Sequence, residues 1–265
     1  MQPVVHTTDL GNLPYSEAWR IQESLQQKLI TRKMERKRAG GALPRSSPEL
    51  QAEPGKAPAA STEEPATETA SASAVDAAGY LLFVEHPHVF TIGKSGKWEN
   101  LLFTDDILKQ KGIEVVKTDR GGDITYHGPG QLVGYPVLDL ELFSMGVAKY
   151  IETLEEVIIR TAAHFGITAQ RLPDRTGVWV GNNKLCALGI KCSRYVCMHG
   201  FALNIRTDLD YFHGIIPCGI NEGGVTSFEK LMDEPPDKEQ IQKVIVMEFE
   251  KEFGCSISQI ADIPV

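Results

Sequence analysis

Cys218 stands in Ile216-Pro-Cys-Gly219, where Pro217 fixes the approach of the chain and Gly219 leaves no side chain beside the sulfur. A thiol framed in this way is accessible, and as its thiolate it is a nucleophile for group transfer. A reference pKa of about 8.5 leaves little thiolate at pH 7, so a nearby cation or base is required. Lys184 is the candidate cation: in a period-two strand it shares a face with Cys186, Leu188 and Ile190, where its ammonium would be partly desolvated. The alternative is a lysine snorkelling out of a turn. His127 and His199 are competing bases, each able to make a Cys-His pair, although a histidine beside glycine is more often a hydrogen-bonded structural group.

The densest cluster of unusual residues is Arg120-Gly-Gly-Asp-Ile-Thr-Tyr-His-Gly-Pro-Gly-Gln131. Gly121 and Gly122 allow positive φ and close main-chain approach to a ligand, Pro129 stiffens the return, and Arg120 and His127 supply polar handles. Such a segment builds a binding site or, more simply, a tight connection between strands. Two weaker signals are set aside. Gly93-Lys-Ser95 imitates the end of a phosphate-binding loop, but His88 stands where its first glycine belongs. His86-Pro-His88 has no carboxylate or cysteine following at ligand spacing, so no metal is expected.

The chain of 265 residues is 42% hydrophobic and 23% charged with net charge -8, which fits one globular enzyme and argues against a general nucleic-acid binder. No apolar run is long enough to span a membrane. The five cysteines, Cys186, Cys192, Cys197, Cys218 and Cys255, form no Cys-x-x-Cys pair and are odd in number. Neither a disulfide scaffold nor structural zinc is expected, and a reducing compartment is. Met1 to Leu10 has neither a basic start nor an apolar stretch of a secretory signal, and with its first arginine at Arg20 the chain offers no persuasive mitochondrial presequence.

These residues must be positioned by a mixed set of elements. Val4 to Thr8 reads as a strand, and Pro14 to about Lys37 as a helix with Trp19, Leu25 and Leu29 available to pack. Residues 38–79 are Ala, Pro, Ser, Thr and Glu with hardly a large aliphatic, and read as a disordered insertion between an N-terminal piece (1–37) and the main part (80–265) of one domain. Strands follow at Tyr80 to Glu85, Val89 to Ile92, Ile113 to Lys117 and Gln131 to Leu140, then a long helix carrying Ile151, Leu154, Ile158 and Phe165. Gly177 to Val180 and Lys184 to Lys191 make a hairpin about Gly181-Asn-Asn183, and Phe201 to Ile205 adds a strand. Thr226 with Glu229, and Asp237 with Gln240, mark helix starts. The expected class is α/β (α+β), a mixed β-sheet with flanking helices.

Taken together, the chain resembles the lipoyl(octanoyl) transferases of the biotin and lipoate protein ligase superfamily. The resemblance runs through Glu85 to Gly93, Arg120 to Gln131, Thr176 to Val180, Lys184 to Ile190, His199 to Asn204, Pro217 to Gly219 and Gly224 to Ser227. It covers the chain outside 38–79. It implies a biotin/lipoate protein ligase-like single domain with Cys218 and Lys184 as the catalytic pair. It also implies an acyl site lined by Arg120, Gly121, Gly122, Asp123, Ile124, Thr125, Tyr126 and His127, by Ala187, Leu188 and Gly189, and by Gly200, Phe201 and Ala202.

The implied reaction moves an octanoyl or lipoyl group from acyl carrier protein to a lysine of lipoyl domains, through a thioester on Cys218. The implied acceptors are the glycine cleavage H protein and the 2-oxoacid dehydrogenase complexes. No cofactor, metal, nucleic acid or membrane is implied. An ATP-dependent lipoate or biotin ligase on the same fold, and a non-catalytic carrier-binding module, are the alternatives. In a eukaryote the resemblance implies the mitochondrial matrix, otherwise the cytoplasm. The family core lacks the insertion, and Met198 departs from the smaller or polar residue expected there, which bears on one pocket wall. Because the carrier is acidic in this family, a basic rim is expected from Arg120, Lys191, Arg194 and Arg171, with Lys94 and Lys97.

Overall fold

The computed structural model describes residues 2–40, 77–216 and 223–263. Most of the expected insertion lies outside them, but its last residues are folded. Ala77 and Ala78 are buried, the Ala78 N–H donates to Val4 O, and Gly79 pairs with Leu138. Order therefore resumes three residues before composition suggests, because two alanines and a glycine are small enough to pack against the sheet where they enter it.

The chain opens with β1 (Val4–Asn12), α1 (Tyr15–Arg38), β2 (Gly79–Glu85) and β3 (Val89–Ile92). A 3-10 turn at Trp98–Asn100 leads to α2 (Asp105–Lys111), β4 (Glu114–Lys117), β5 (Ile124–His127) and β6 (Gln131–Asp139). After α3 (Val147–His164) come β7 (Gln170–Leu172), β8 (Arg175–Val180), β9 (Asn183–Ser193) and β10 (Val196–Asn204). The chain closes with α4 (Phe228–Leu231), α5 (Lys238–Phe253) and β11 (Ser256–Gln259). The described strands form an eight-stranded sheet in the order β11-β1-β2-β6-β10-β9-β8-β7, and a three-stranded sheet in the order β4-β3-β5. The large sheet is parallel across β11, β1 and β2 and antiparallel from β2 to β7, so it is mixed, as expected.

Alternation along β2 shows how the layers are filled. Leu81 and Phe83 face a core closed by α3 and α5, and Tyr80, Leu82 and Val84 face one closed by α1. All nine residues of β6 are buried, as they must be in a central strand covered on both faces. Leu25 and Leu29 of α1 pack on the sheet, with Trp19 half-buried beside them. Met198 is fully buried in this same layer, so the expected departure at a pocket wall is a core residue instead.

Helix starts follow local hydrogen bonding. Asp237 and Gln240 form the capping box expected of α5. The cap of α4 is Ser227, whose hydroxyl accepts from the Lys230 N–H, and not Thr226. Thr226 instead donates its N–H to Lys184 O.

An ion cluster anchors the C-terminal half of α1. Lys33 Nζ donates to Asp139 Oδ1 at 2.8 Å and to Arg194 O at 2.8 Å, and Arg36 reaches Asp139 Oδ2 at 2.6 Å. Lys33 and Asp139 are 4% and 1% exposed, whereas Arg36 is 34% exposed. Burial makes these two arginine and lysine contacts unequal. Lys33→Met should cost about 3 kcal/mol, the lower end for a broken buried pair because Arg36 remains. Arg36→Met should cost under about 1 kcal/mol. Urea unfolding of the two variants checks this, and equal losses would contradict it.

Candidate active site

A cavity of ≈ 240 Å³ opens on the α1 side of the sheet, between β9, β10 and the glycine-rich loop before β5. From that loop Arg120, Gly122, Asp123, Ile124, Thr125 and His127 line it. Ala187, Leu188 and Gly189 of β9 and Gly200, Phe201 and Ala202 of β10 form the facing wall, brought together by direct pairing of Ala187 with Ala202 and Gly189 with Gly200. Lys184 lies on the same lining. Two of the expected lining residues do not. Tyr126 packs in the small core under β3 with its hydroxyl on His88, and Gly121 uses its N–H on Ile190 O. Tyr126 points to the opposite face of β5 from Thr125 and His127, into the core under β3.

The loop is shaped by a buried guanidinium. Arg120 donates through Nε to Thr91 Oγ1, through one terminal nitrogen to Gly121 O, and through the other to Thr91 O and Asp123 O at 2.6 and 2.8 Å. Gly93, Lys94 and Ser95 donate their N–H groups to Asp123 O, Arg120 O and Gly122 O. The stretch that imitates a phosphate loop is thus occupied in holding this one. Gly122 has φ of 87°, a left-handed value that a side chain would strain.

The histidines are fixed by the same logic. Thr91 Oγ1 lies 3.3 Å from His127 Nε2, and His127 Nδ1 donates to Gln131 Oε1 at 2.8 Å. Gln131 in turn donates to Tyr126 O and Asn204 Oδ1, and Asn204 to Thr226 O. His127 therefore has both nitrogens engaged, and burial holds it well below the usual histidine range. His86 donates from Nδ1 to Leu13 O and accepts from the Tyr135 hydroxyl, and burial brings it down to about 4. His199 pairs with Ile190, six residues along β9 from Lys184, about 20 Å in an extended strand. Among the described residues no His, Cys, Asp and Glu cluster has the makings of a metal site.

Lys184 does not share the face of Cys186, Leu188 and Ile190. The register of β8 on β9 slips by one residue between the pairs Val178 with Cys186 and Trp179 with Lys184. This bulge puts Leu185 and Cys186 together in the α3 and α5 core and turns Lys184 to the cavity. The Lys184 ammonium lies 4.7 Å from the ring centroid of Trp179, a fully buried residue that the sequence did not single out. Lys184 N–H donates to Gly224 O, and Gly223 approaches so closely that a Cβ there would meet Asn182 O. Cys218 itself falls outside the described residues, whose two flanks end at Ile216 and Gly223.

The other cysteines are free thiols. Burial pushes Cys186 far up and Cys255 to about 12. Cys197 and Cys192 share a hydrogen bond across β9 and β10 that raises the first and lowers the second, on the face away from the cavity. Of the residues expected at the basic rim, Arg194, Lys94 and Lys97 are exposed. Arg120 is buried, Arg171 is paired with Glu155 and Glu156 on α3, and Lys191 with Asp119.

This fold and site have relatives. Residues 60–250 match the family model described as the lipoyl protein ligase A/B catalytic domain. The chain is 42% identical over 263 residues to the octanoyltransferase of Flavobacterium johnsoniae, covering 97% of this chain and 100% of that one. It is 50% identical over 186 residues to the octanoyltransferase of Bacteroides thetaiotaomicron, covering 68% and 82%. A lipoate-protein ligase A structure bound with ATP has a TM-score of 0.59 at 19% identity, over 69% of this chain and 77% of the other, and shares the fold. The chain belongs to the lipoyl protein ligase A/B catalytic domain family. Within it the chain is an octanoyltransferase, an acyltransferase. The relatives named are bacterial and give the mitochondrial expectation no support. No helix among the described residues is long and apolar enough to cross a membrane.

Neutral buried histidines predict acid sensitivity. A lowered folded-state pKa means that the unfolded chain binds more protons, so stability is full above about pH 6.5 and falls as pH drops through that value. The His86 shift alone corresponds to about 3 kcal/mol once pH reaches its folded value. Thermal unfolding should drop steeply between pH 6.5 and 4, and less steeply in His86→Gln. Equal slopes in both proteins would contradict the assignment.

Proposed function

We propose that the protein transfers an octanoyl group from acyl carrier protein to a lysine of a lipoyl domain through a thioester on Cys218. The observation that carries this reading is the position of Lys184, turned by a bulge into the cavity beside the segment that follows Cys218 in the chain. Both flanks of that segment support it. Gly224 and Thr226 bond the main chain of Lys184 on one side, and on the other Ile216, two residues before Cys218, donates its N–H to Asn100 O. Lys184, on the cavity lining beside that segment, is the group this reading pairs with the thiol.

In this reading the Lys184 ammonium favours the Cys218 thiolate, which attacks the thioester carbonyl of the donor; the carrier thiolate leaves with a proton from Lys184, which becomes a neutral amine. The acyl chain lies over the paired Ala187 and Ala202, and the paired Gly189 and Gly200, of β9 and β10, where small residues leave room above the sheet. The target lysine amine then attacks the new thioester, Lys184 takes its proton, and an amide replaces the thioester. Activation by ATP is unnecessary because a thioester is already activated. This separates the reading from an ATP-dependent ligase on the same fold, and turnover separates it from a carrier-binding module. The acceptors it implies are the lipoyl domains of the glycine cleavage H protein and the 2-oxoacid dehydrogenase complexes. Bacterial relatives and four free thiols favour the cytoplasm as the compartment.

Two variants test the pairing. Lys184→Met removes the cation, so alkylation of Cys218 by iodoacetamide at neutral pH should slow about tenfold, read by peptide mass to exclude Cys192. Lys184→Arg keeps the charge and should alkylate faster than the Met variant, yet fail to pass the acyl group to a lysine because guanidinium is no base. Wild-type alkylation in Lys184→Met, or full transfer by Lys184→Arg, would overturn the pairing. Separately, Ala187→Phe should fill the cavity and cut octanoyl transfer at least about a hundredfold while leaving alkylation intact. An unchanged rate would place the acyl chain elsewhere.

A further inference from the structure

The turn between β9 and β10 sets two thiols opposite each other. Arg194 and Tyr195 have φ of 52° and 64°, the left-handed values that a two-residue type I′ hairpin requires, and Ser193 pairs with Val196 to close it. Cys192 and Cys197 are the next pair. Their place in the ladder follows from the pair two residues further along, because antiparallel pairs alternate between hydrogen-bonded and unbonded. There Ile190 O accepts from the Gly121 N–H and the His199 N–H donates to Gln22, so Ile190 and His199 are an unbonded pair. The register runs from one pair to the other without a slip. Cys192 and Cys197 are therefore unbonded too, the kind of pair whose Cα atoms lie about 4.5 Å apart and whose side chains come closest. A disulfide spans that separation.

The two sulfurs differ in kind. Cys197 is fully buried, and its S–H donating to Cys192, together with burial, pushes its thiol far up. Cys192 is half-buried, and accepting that bond lowers it, with the Lys33 ammonium and the main chain of Tyr195 adding to the effect. One sulfur is thus reachable and inclined to ionise, and the other waits beside it as a thiol.

We propose that Cys192 and Cys197 form a redox modification site, at which a hydroperoxide converts the dithiol to a cross-strand disulfide. The Cys192 thiolate attacks one peroxide oxygen; the O–O bond breaks, an S–O bond forms, and water or an alcohol leaves after taking a proton from solvent. The Cys197 sulfur then attacks the sulfur of this sulfenic acid. The S–S bond forms, the S–O bond breaks, and hydroxide departs as water with the Cys197 proton. Two thiols lose two electrons and the peroxide gains them. A dithiol reductant reverses the link by exchange. A reducing compartment keeps the pair open until peroxide arrives, and the link then fastens the tip of the hairpin that walls the cavity with Ala187, Gly189, Gly200 and Ala202. Neither cysteine lines that cavity, so the proposal is independent of how the acyl group is carried.

The test is treatment of the reduced protein with hydrogen peroxide in slight molar excess, alkylation of the remaining thiols, and tryptic mass mapping without reductant. Trypsin cuts after Lys191 and Arg194, so the link joins the peptide Cys192 to Arg194 to the peptide Tyr195 to Arg206. This linked mass should be the main disulfide product, and dithiothreitol should abolish it. In untreated wild type, iodoacetamide should label Cys192 at least about tenfold faster than Cys197. Cys197→Ser should stop at a sulfenic acid on Cys192, which dimedone traps. A wild type in which peroxide oxidises other cysteines but leaves these two separately alkylated, or whose main link joins Cys192 to Cys218, overturns the proposal. So does dimedone capture on Cys197 in Cys192→Ser with none on Cys192 in Cys197→Ser.

Discussion

The site depends on the Arg120 guanidinium, buried without a carboxylate bonded to it and satisfied by main-chain carbonyls of its own loop and by Thr91. Burying a cation in this way costs several kcal/mol unless each donor is matched, and here the matching specifies the loop. Gly121, Gly122 and Asp123 are drawn around it, and Asp123 turns its own carboxylate to the Ile124 N–H and the Asn100 amide. Thr91 passes the constraint to His127, then Gln131, Asn204 and Thr226. One polar chain therefore links the glycine loop to the segment that follows Cys218.

The position of Lys184 depends on a smaller feature. A regular hairpin would aim Lys184 into the core beneath α3, where a charge has no partner. The extra residue at Leu185 reverses its direction and sets it over Trp179. Fold and chemistry meet in this single slip of register, since the same strand goes on to line the cavity with Ala187 and Gly189.

Much of the architecture was legible because its elements carry strong periodicity: the buried β2 and β6, the long α3 and the capped α5. The glycine loop and its companions were legible as motifs, and they converge on one cavity. What misled was local parity and local polarity. Alternation assigned Lys184 to the wrong face because a bulge has no signature in residue types. Arg120 read as a surface handle because arginine is seldom buried, and nothing in sequence shows that Thr91 and three carbonyls await it. Trp179, Tyr135 and the Asp119 to His199 contact were invisible for the same reason: each acts through a partner distant in the chain.

The central claim is that acyl transfer passes through Cys218 with Lys184 required for its discharge. The most direct measurement is intact mass after incubation with octanoyl-carrier protein, without acceptor and then with a lipoyl domain added. The account predicts one octanoyl adduct, absent in Cys218→Ala, sensitive to hydroxylamine, and cleared by acceptor in the wild type but retained in Lys184→Arg. An adduct that persists in Cys218→Ala, or full turnover of a protein that never carries one, would contradict it.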